Sequence, residues 1–536
     1  MKKTLRMLVL MLAALLTTGC AGSAVQPTET QPAATEEATT APQETETAAL
    51  VRTLPLLSIE TAAQGEDALA FVTEPVAAHV AESIASWTPR YVMPPAPWYE
   101  TCTVTLTDAD ENVLLQAEAD VKVRGNWTTS YPKKPLRVKF SEKQSIPGLH
   151  EGKAFKNWLL LAEYKDGSML RNQAALSIAR KLLEPDGLYA ADTELVEVEI
   201  NGEYWGVYLL TEQQQVQAER VAVTEPEKDY GGTDIGYFLE FDGYYTDEDA
   251  LHGFFVDYAD NAPLLPFDGT GSTDREICPL NTGGKDLTQD VGISVKSEIY
   301  SQEQHDFIAA YVNNVYRILY AAAYEDRALV LDTESMTLTE SGELTPQEAV
   351  EAAVDVQSLA DLYILSELTC DADIYWSSFF MDVDLGADGD GKLRFEAPWD
   401  FDSSMGNKDR CADGTGFYAA NIVPDVNDTY ETINPWLAVL MHETWFQEII
   451  REKWTKAYDA GIFSDAAAEI RADSAAHTDA FARNYERWDN LRHNEAAHEL
   501  ARQAAACRTQ EEAASYLADW LEKRIAFLDE YWHKSE

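Results

Sequence analysis

Basic residues are scarce in this sequence, and their scarcity limits its partners. Its 536 residues hold 41 lysines and arginines against 92 aspartates and glutamates, which gives a formal net charge of −51 at pH 7. A surface of this sign repels nucleic acid and anionic membrane faces, so we expect no nucleic-acid partner. With 46% hydrophobic residues, the chain has enough apolar side chains for a large globular core.

Several sequence motifs of catalytic and metal sites are also absent. The spacings of the cysteines match no zinc pattern, and HNEAAHEL has two histidines without the order H-E-x-x-H of zinc proteases. DVDLGADGDG lacks two acidic ligands of a calcium-binding loop, because Gly386 and Ala397 stand in their places. A tight turn is therefore expected there.

A long hydrophobic run is missing too. Residues 7–16 are apolar and follow a basic start, but such a run is too short to cross a bilayer. The pattern predicts a signal peptide, and its Gly-Cys ending resembles a bacterial lipoprotein signal that is lipidated at Cys20; simple secretion is the alternative. Residues 21–50 have no aromatic or basic residue and are predicted to be a disordered tether. We therefore expect an extracytoplasmic protein that meets a membrane only through the lipid on Cys20.

Two aspartates, Asp373 and Asp400, flank a predicted hairpin over residues 379–398. Its arms are FFMDVDL and KLRFEAPW, with a turn of glycine and aspartate between them. Because a hairpin brings its ends together, we expect the two carboxylates to lie side by side. Asp402 follows, next to apolar residues such as Trp399, and a buried carboxylate needs a partner such as a divalent cation. In so acidic a chain, an ordinary capped turn is the alternative.

The few cations gather around one short polar loop. The loop contains Asn126 and joins two strand-like runs, an arrangement in which backbone N–H groups and cations bind polyphosphate. We expect Arg124, Lys134 and Lys139 to bind phosphate with it. The loop matches neither a Walker A motif nor G-x-G-x-x-G, so a solvated hairpin with surface lysines is the alternative. The basic residues of this region are Lys122, Arg124, Lys133, Lys134, Arg137, Lys139 and Lys143.

Hydrophobic periodicity predicts where strands and helices lie. Residues 53–140 alternate between apolar and polar side chains, as strands do. Apolar residues at spacings of three and four predict a helix within 162–183. Further helices are expected over 302–325, 356–369, 436–459 and 510–532.

Six sequence blocks appear in order: VRGNWTTSYPKKPLRVKF, KNWLLLAEYKDGSMLRNQAALSIARKL, VEVEINGEYWGVYLLTEQ, GYFLEFD, LADLYILSEL and PWDFDSSMGN. Together they resemble the motifs of the CotH (spore-coat protein H) kinase family. The resemblance implies an α+β, two-lobed, protein-kinase-like fold, with a β-rich N-terminal lobe and a mostly helical C-terminal lobe. The predicted divisions are a signal (1–20), a tether (21–50), a kinase-like domain (51–455) and a helical extension (456–536).

The resemblance also implies roles for the acidic residues. Phosphate would pass from ATP to a Ser or Thr hydroxyl of a protein, with Mg²⁺ or Mn²⁺ as cofactor. Asp400 would be the principal metal ligand, Asp402 the second ligand and Asp373 the general base. Ser378 stands where the kinase pattern places a metal-binding Asn, and its hydroxyl is a weaker ligand.

Further nucleotide contacts follow from the same resemblance. Arg171, in the helix within 162–183, either contacts phosphate or pairs with Asp166, and both interpretations stay open. That helix has no Glu at its middle to pair with a phosphate-binding lysine. The connector between the lobes would include Leu210 and Glu212, whose backbone groups could meet the adenine edge.

A function without catalysis is the alternative. Little ATP exists outside a bacterial cell, so the chain could be a pseudokinase-type surface module for adhesion or for binding wall polysaccharide. A glycosidase could use Asp373 and Asp400, but the basic loop would then have no role. In either case we expect a monomer.

Overall fold

The computed structural model describes residues 52–534, with gaps at 64, 66, 281–290, 410–411, 425–430 and 495. The predicted signal and tether, including Cys20, lie outside the described residues and stay predictions. Residues 51–536 form one compact unit. Its helices and strands, with most strands in the N-terminal part, confirm the α+β class.

Seven strands in the N-terminal part close into a barrel. They are β1 (Leu56–Thr61), β2 (Glu100–Thr107), β3 (Val113–Val123), β4 (Leu136–Ser145), β5 (Ala154–Leu161), β6 (Thr193–Ile200) and β7 (Glu203–Glu212). Their order around the barrel is β1-β2-β3-β4-β5-β7-β6, and parallel pairing of β6 with β1 closes it. On β2, the buried Cys102, Val104 and Leu106 belong to the barrel core, while the residues between them are more exposed. The predicted β-rich N-terminal region is therefore confirmed, as a closed barrel.

A second, antiparallel sheet follows the barrel in the chain. Its strands are β8 (Gly236–Asp242), β9 (Gly253–Phe254), β10 (Gly292–Val295) and β13 (Phe379–Asp384), in the order β13-β8-β10-β9. Two small sheets pair β11 (Leu329–Asp332) with β12 (Thr337–Glu340), and β14 (Val423–Pro424) with β15 (Glu431–Thr432). The predicted hairpin over 379–398 forms, but its second arm pairs with β13 only where Arg394 exchanges backbone hydrogen bonds with Asp382.

The described helices are α1 (Ala70–Thr73), α2 (Ala78–Trp87), α3 (Arg171–Leu183), α4 (Tyr258–Asn261), α5 (Gln302–Glu325), α6 (Pro346–Ala353), α7 (Val356–Thr369), α8 (Pro435–Ala438), α9 (Thr444–Asp459), α10 (Ile462–Ala476), α11 (Thr478–Arg487), α12 (Arg502–Ala506) and α13 (Gln510–Trp532). Helix α7 lies at the centre of the core, since Gln357 is its one exposed residue. It begins at Asp355, whose carboxylate accepts hydrogen bonds from two backbone N–H groups. It ends at Cys370, which has a left-handed φ of 47°.

The C-terminal helices are an integral part of this unit. Helix α10 packs on α3 and α13, and α11 packs on the barrel strand β7. Helix α13 is tied to α7 by a buried ion pair between Arg524 and Glu367. The predicted boundary at residue 455 falls inside α9, which continues across it.

Among the described residues, we find no helix with the length and apolar character needed to span a bilayer.

Candidate functional site

A cleft of about 2000 Å³ is lined by both the barrel and the mainly helical part. The barrel side contributes Arg124 and its loop, and the chain segment Gln213–Gln217 that leaves β7. The opposite side contributes Asp373, Ser378 and the segment around Asp400. Ligand pockets commonly have volumes of about 300–1000 Å³. The cleft is thus large enough for a nucleotide and part of a second substrate.

Three carboxylates converge in the cleft and are called the aspartate cluster below. One oxygen each of Asp373, Asp400 and Asp402 can be chosen so that all three lie within 4.8 Å of one another. Oxygen ligands at this spacing suit a hard divalent cation. The expected approach of Asp373 and Asp400 is therefore confirmed, and Asp402 joins them.

The local structure explains how Asp373 reaches the cluster. The buried helix α7 stops at Cys370, and the chain then turns. The backbone carbonyl of Asp373 accepts hydrogen bonds from the N–H groups of Trp376 and Ser377, at 2.8 and 2.9 Å. This turn places Asp373 at the cleft and directs the chain into β13.

The other two aspartates lie on a loop fixed from several sides. Asp400 has a left-handed φ of 69°, a conformation that is costly for a residue other than glycine and is often found at functional sites. The next N–H group, of Phe401, donates to the side-chain oxygen of Asn172 at 2.8 Å. The side chain of Asn407 donates to the carbonyl of Asp402 at 2.6 Å. Neighbouring parts of the fold thus hold the loop in this shape.

Electrostatic repulsion within the cluster is strong. Burial, then the nearby carboxylates of Asp402 and Asp373, raise the pKa of Asp400 to about 7, although Lys165 and Arg124 act in the opposite direction. The ionised form of Asp400 is thus disfavoured in the metal-free site, an imbalance that comes from burial and from the neighbouring carboxylates. A bound divalent cation would remove this imbalance, which is an electrostatic reason to place a metal here.

Ser378 lies in the cleft beside a second acidic group. Its backbone has a left-handed φ of 61°, and its N–H group donates to Glu240 at 2.9 Å. Glu240 is itself 3.0 Å from the ammonium of Lys296. Both Glu240 and Lys296 line the cleft. The sequence analysis did not identify this pair, and its position beside Ser378 depends on the pairing of β8 with β13.

Lys165 is the most important residue that the sequence analysis missed. Its ammonium lies 2.9 Å from Asp402 and 2.5 Å from the hydroxyl of Ser403. Burial works against its charged form, but Asp402 and Asp373 raise its pKa above the ordinary value. In the sequence, Lys165 follows closely after the apolar strand β5, in the block LLLAEYKDGS. Lysine is rarely buried unless it is paired, so a lysine beside a core strand could have indicated an acidic partner.

Two of the predicted phosphate-binding residues line the cleft. Burial lowers the pKa of Arg124, and the carboxylate of Asp400 opposes that shift. The guanidinium also lies 6.0 Å from the ring of Trp399. Asn126 contacts the ring of His79 through its side-chain oxygen. Between them, Gly125 has a φ of 101°, and a Cβ there would come within 2.7 Å of Thr128, so only glycine fits.

Lys134 and Lys139 lie outside the cleft lining. The ammonium of Lys134 is buried and donates to the carbonyls of Thr129 and Tyr131, at 2.5 and 3.1 Å. It therefore holds the loop in shape from behind. Lys139 is exposed on β4, 5.9 Å from the ring of Tyr99. The structure thus brings neither to the aspartate cluster, and residue type alone did not distinguish them from Arg124.

Arg171 also lies away from the cleft lining. It pairs with Asp166 and donates to the carbonyls of Ser404 and Met405, at 3.2 and 3.4 Å. Of the two interpretations left open by the sequence, the structure shows the pairing with Asp166. Arg171 consequently connects the start of α3 to the loop that carries the aspartates.

The two predicted connector residues belong to the barrel. Leu210 is buried in the barrel core. Glu212 is fully buried and lies 2.9 Å from the imidazole of His150 and 3.7 Å from Arg220. The chain reaches the cleft only after them, at Gln213–Gln217. Neither residue therefore lines the cleft, because β7 continues to Glu212.

A family model described as CotH kinase protein matches residues 121–528. The match includes Arg124, Lys165 and the aspartate cluster, and it continues into α13. Nothing among curated proteins matches the chain.

Proposed function

This chain belongs to the CotH kinase protein family, and from that membership and the geometry of the cleft we propose that it transfers phosphate from ATP to a protein hydroxyl. The observation that carries the proposal is the aspartate cluster, with Lys165 and Arg124 beside it. Phosphoryl transfer depends mainly on positioning and charge neutralisation. Carboxylates for a metal and cations for phosphate in one cleft meet both requirements.

The cluster fits a divalent cation by its donor set. Asp400 and Asp402 would hold Mg²⁺ or Mn²⁺, with Ser378 as a weaker third ligand. The cation, when bound, would neutralise phosphate charge and relieve the repulsion that raises the pKa of Asp400. Arg124 and Lys165 would contact the phosphate oxygens directly, since Arg124 lines the cleft and Lys165 lies against Asp402.

Asp373 is the proposed general base. A quarter of its side chain is exposed (25%), more than the 11% of Asp402, so an acceptor hydroxyl can reach it. Its carboxylate takes the hydroxyl proton as the oxygen forms a bond to the γ-phosphorus and the bond to the leaving ADP oxygen breaks. The ammonium of Lys408 lies 4.0 Å from this carboxylate.

The finer fold interpretation belongs to the same proposal. The barrel would act as the nucleotide-covering lobe, and the mainly helical part as the lobe that carries the acidic residues. Backbone groups of Gln213–Gln217 would then meet the adenine edge, in place of those of Leu210 and Glu212. We further propose that the protein is monomeric and acts outside the cytoplasm, anchored by a lipid on Cys20.

One observation favours the second candidate, a binding module without catalysis. Ser378 supplies a hydroxyl where a stronger amide ligand is expected, so one metal position would be weak. The module would then use the cleft to bind a wall polymer or a surface protein.

Incubation of the purified protein with γ-labelled ATP and Mn²⁺ separates the two candidates. We expect label on the protein itself or on dephosphorylated casein, and none with Asp400→Ala. If millimolar ATP neither labels an acceptor nor raises the Tm of the wild-type protein, the kinase proposal fails and the binding module remains.

A further inference from the structure

The C-terminal segment 488–501 reaches into the cleft and contacts both loops that carry charged site residues. The side chain of Asn490 donates to the carbonyl of Tyr164, next to Lys165, at 2.6 Å. The N–H group of Ala501 donates to the carbonyl of Asn407, on the aspartate loop, at 2.7 Å. A segment that follows the barrel by hundreds of residues thus contacts both sides of the site.

Glu499 is the acidic residue that this segment places at the cleft. Its side chain is 21% exposed, and one carboxylate oxygen lies 4.0 Å from the ammonium of Lys165. The other oxygen accepts a hydrogen bond from the hydroxyl of Tyr131 at 3.4 Å. Tyr131 stacks on Tyr164 with ring centroids 5.2 Å apart, which limits where the carboxylate can move.

Besides the nearby Asp373, Lys165 lies between two carboxylates of different kinds. It pairs closely with Asp402, at 2.9 Å, and more loosely with Glu499, at 4.0 Å. A divalent cation on Asp402 would compete with the ammonium for the same oxygen. Because the Lys165 side chain is only 9% exposed, losing Asp402 without another partner would be costly.

We propose that Glu499 is the counter-ion of Lys165 when the aspartate cluster holds metal, a positioning role supplied by the C-terminal segment. The ammonium moves from Asp402 toward Glu499, which frees Asp402 for the metal and keeps Lys165 aimed at phosphate. Helix α3, with the sequence RNQAALSIARKLL, contains no glutamate that could pair with Lys165 instead. The inference rests on the proposed metal and nucleotide site.

A double-mutant cycle with Mn²⁺ alone tests this role. Free Mn²⁺ is measured by electron paramagnetic resonance for the wild-type protein, Glu499→Gln, Lys165→Met and the double variant. We expect Glu499→Gln to weaken Mn²⁺ binding about tenfold, the size of a typical coupling between sites. In the Lys165→Met background, where no ammonium competes for Asp402, the same substitution should change the affinity by less than about twofold.

Two further variants separate the role from general charge or folding effects. Glu511→Gln removes the same charge from an exposed position on α13 and should leave Mn²⁺ affinity unchanged. Glu499→Asp keeps the carboxylate and should bind Mn²⁺ nearly as tightly as the wild-type protein, which tests the role of the charge even if Glu499→Gln fails to fold. Equal binding by wild type and Glu499→Gln, an equal loss in the Lys165→Met background, or no recovery with Glu499→Asp would overturn the inference. Failure of the wild-type protein itself to bind Mn²⁺ would instead overturn the proposed metal site.

Discussion

Two acidic sites in this protein differ in how completely their carboxylates are paired. At Glu367, a single carboxylate accepts hydrogen bonds from the backbone N–H groups of Tyr418 and Ala419, at 2.9 and 3.0 Å. It also pairs with Arg524, whose guanidinium donates to the carbonyls of Glu367 and Gly416. Each oxygen of this carboxylate thus has a donor, and its charge has one buried partner.

The aspartate cluster lacks this balance. Three carboxylates meet there, Lys165 pairs with Asp402, and Lys408 approaches Asp373 only to 4.0 Å. Burial, and then repulsion from Asp402 and Asp373, raise the pKa of Asp400 to about 7. The comparison separates an acidic group that is fully paired within the fold from a cluster that we propose to bind a cation.

The largest expected effect is on the rate of phosphoryl transfer. It separates the proposed role of Asp373 as a base from the proposed binding of metal by the aspartate cluster. Asp373→Asn should leave Mg-ATP affinity nearly unchanged but lower phosphoryl transfer by about 10²–10⁴, the usual effect of a positioned base. Single-turnover rates and calorimetry measure the two quantities. Full activity in Asp373→Asn would show that the cluster only binds metal and that another group takes the proton.

The matching change at the balanced site should affect stability instead. Glu367→Gln leaves the guanidinium of Arg524 buried without its counter-charge and should lower the free energy of unfolding by about 3–5 kcal/mol. Urea denaturation measures this, with Glu530→Gln on the exposed face of α13 as control. A loss no greater than that of the control would remove the contrast between the two sites.

A third prediction compares a cation inside the cleft with one outside it, by their effects on Mg-ATP binding. Arg124→Ala should weaken Mg-ATP binding by about 10- to 100-fold, since hydrogen bonds to charged groups contribute about 1.5–3 kcal/mol. Lys139→Ala, which removes an exposed cation from the same region, should change it by about 0–1 kcal/mol at most. A thermal-shift titration with Mg-ATP compares them. Equal effects would mean that the polar loop attracts phosphate by general charge alone.

The pH dependence has the smallest expected effect. A folded-state pKa of Asp400 near 7, above its unfolded value, means that the metal-free protein loses stability as the pH rises from about 4 to 7. Metal binding must displace the same proton, so Mn²⁺ affinity should rise about tenfold per pH unit up to about pH 7 and then level off. Calorimetry in buffers from pH 5 to 8 measures this; a flat profile would show that Asp400 is ionised throughout.

Local sequence patterns predicted the meeting of the acidic residues and several helices, although the helix expected over 436–459 is divided into α8 and α9. The predicted helices over 302–325 and 356–369 match α5 and α7 in both bounds. A hairpin over 379–398 brings its two ends close together. The proximity of Asp373 and Asp400 could therefore be predicted without knowledge of the rest of the fold. These successes share one feature, which is that the residues concerned are close in sequence.

Long-range contacts account for what the sequence did not reveal. Lys134 and Arg124 are both cations beside one loop, and the sequence does not distinguish them. The structure shows that Lys134 donates hydrogen bonds to carbonyl groups in and next to that loop. The approach of Lys165 to Asp402 joins residues far apart in the chain. Glu499 is still more remote, and periodicity or residue type gives no means of placing it beside Lys165.

Titration calorimetry of Mg-ATP and of Mn²⁺ alone, on the wild-type protein and on Asp400→Ala, tests the central claim most directly. We expect the wild-type protein to bind both, and Asp400→Ala to bind neither while remaining folded. Undiminished binding by the folded Asp400→Ala variant would contradict the account, since the aspartate cluster would then not be the metal site.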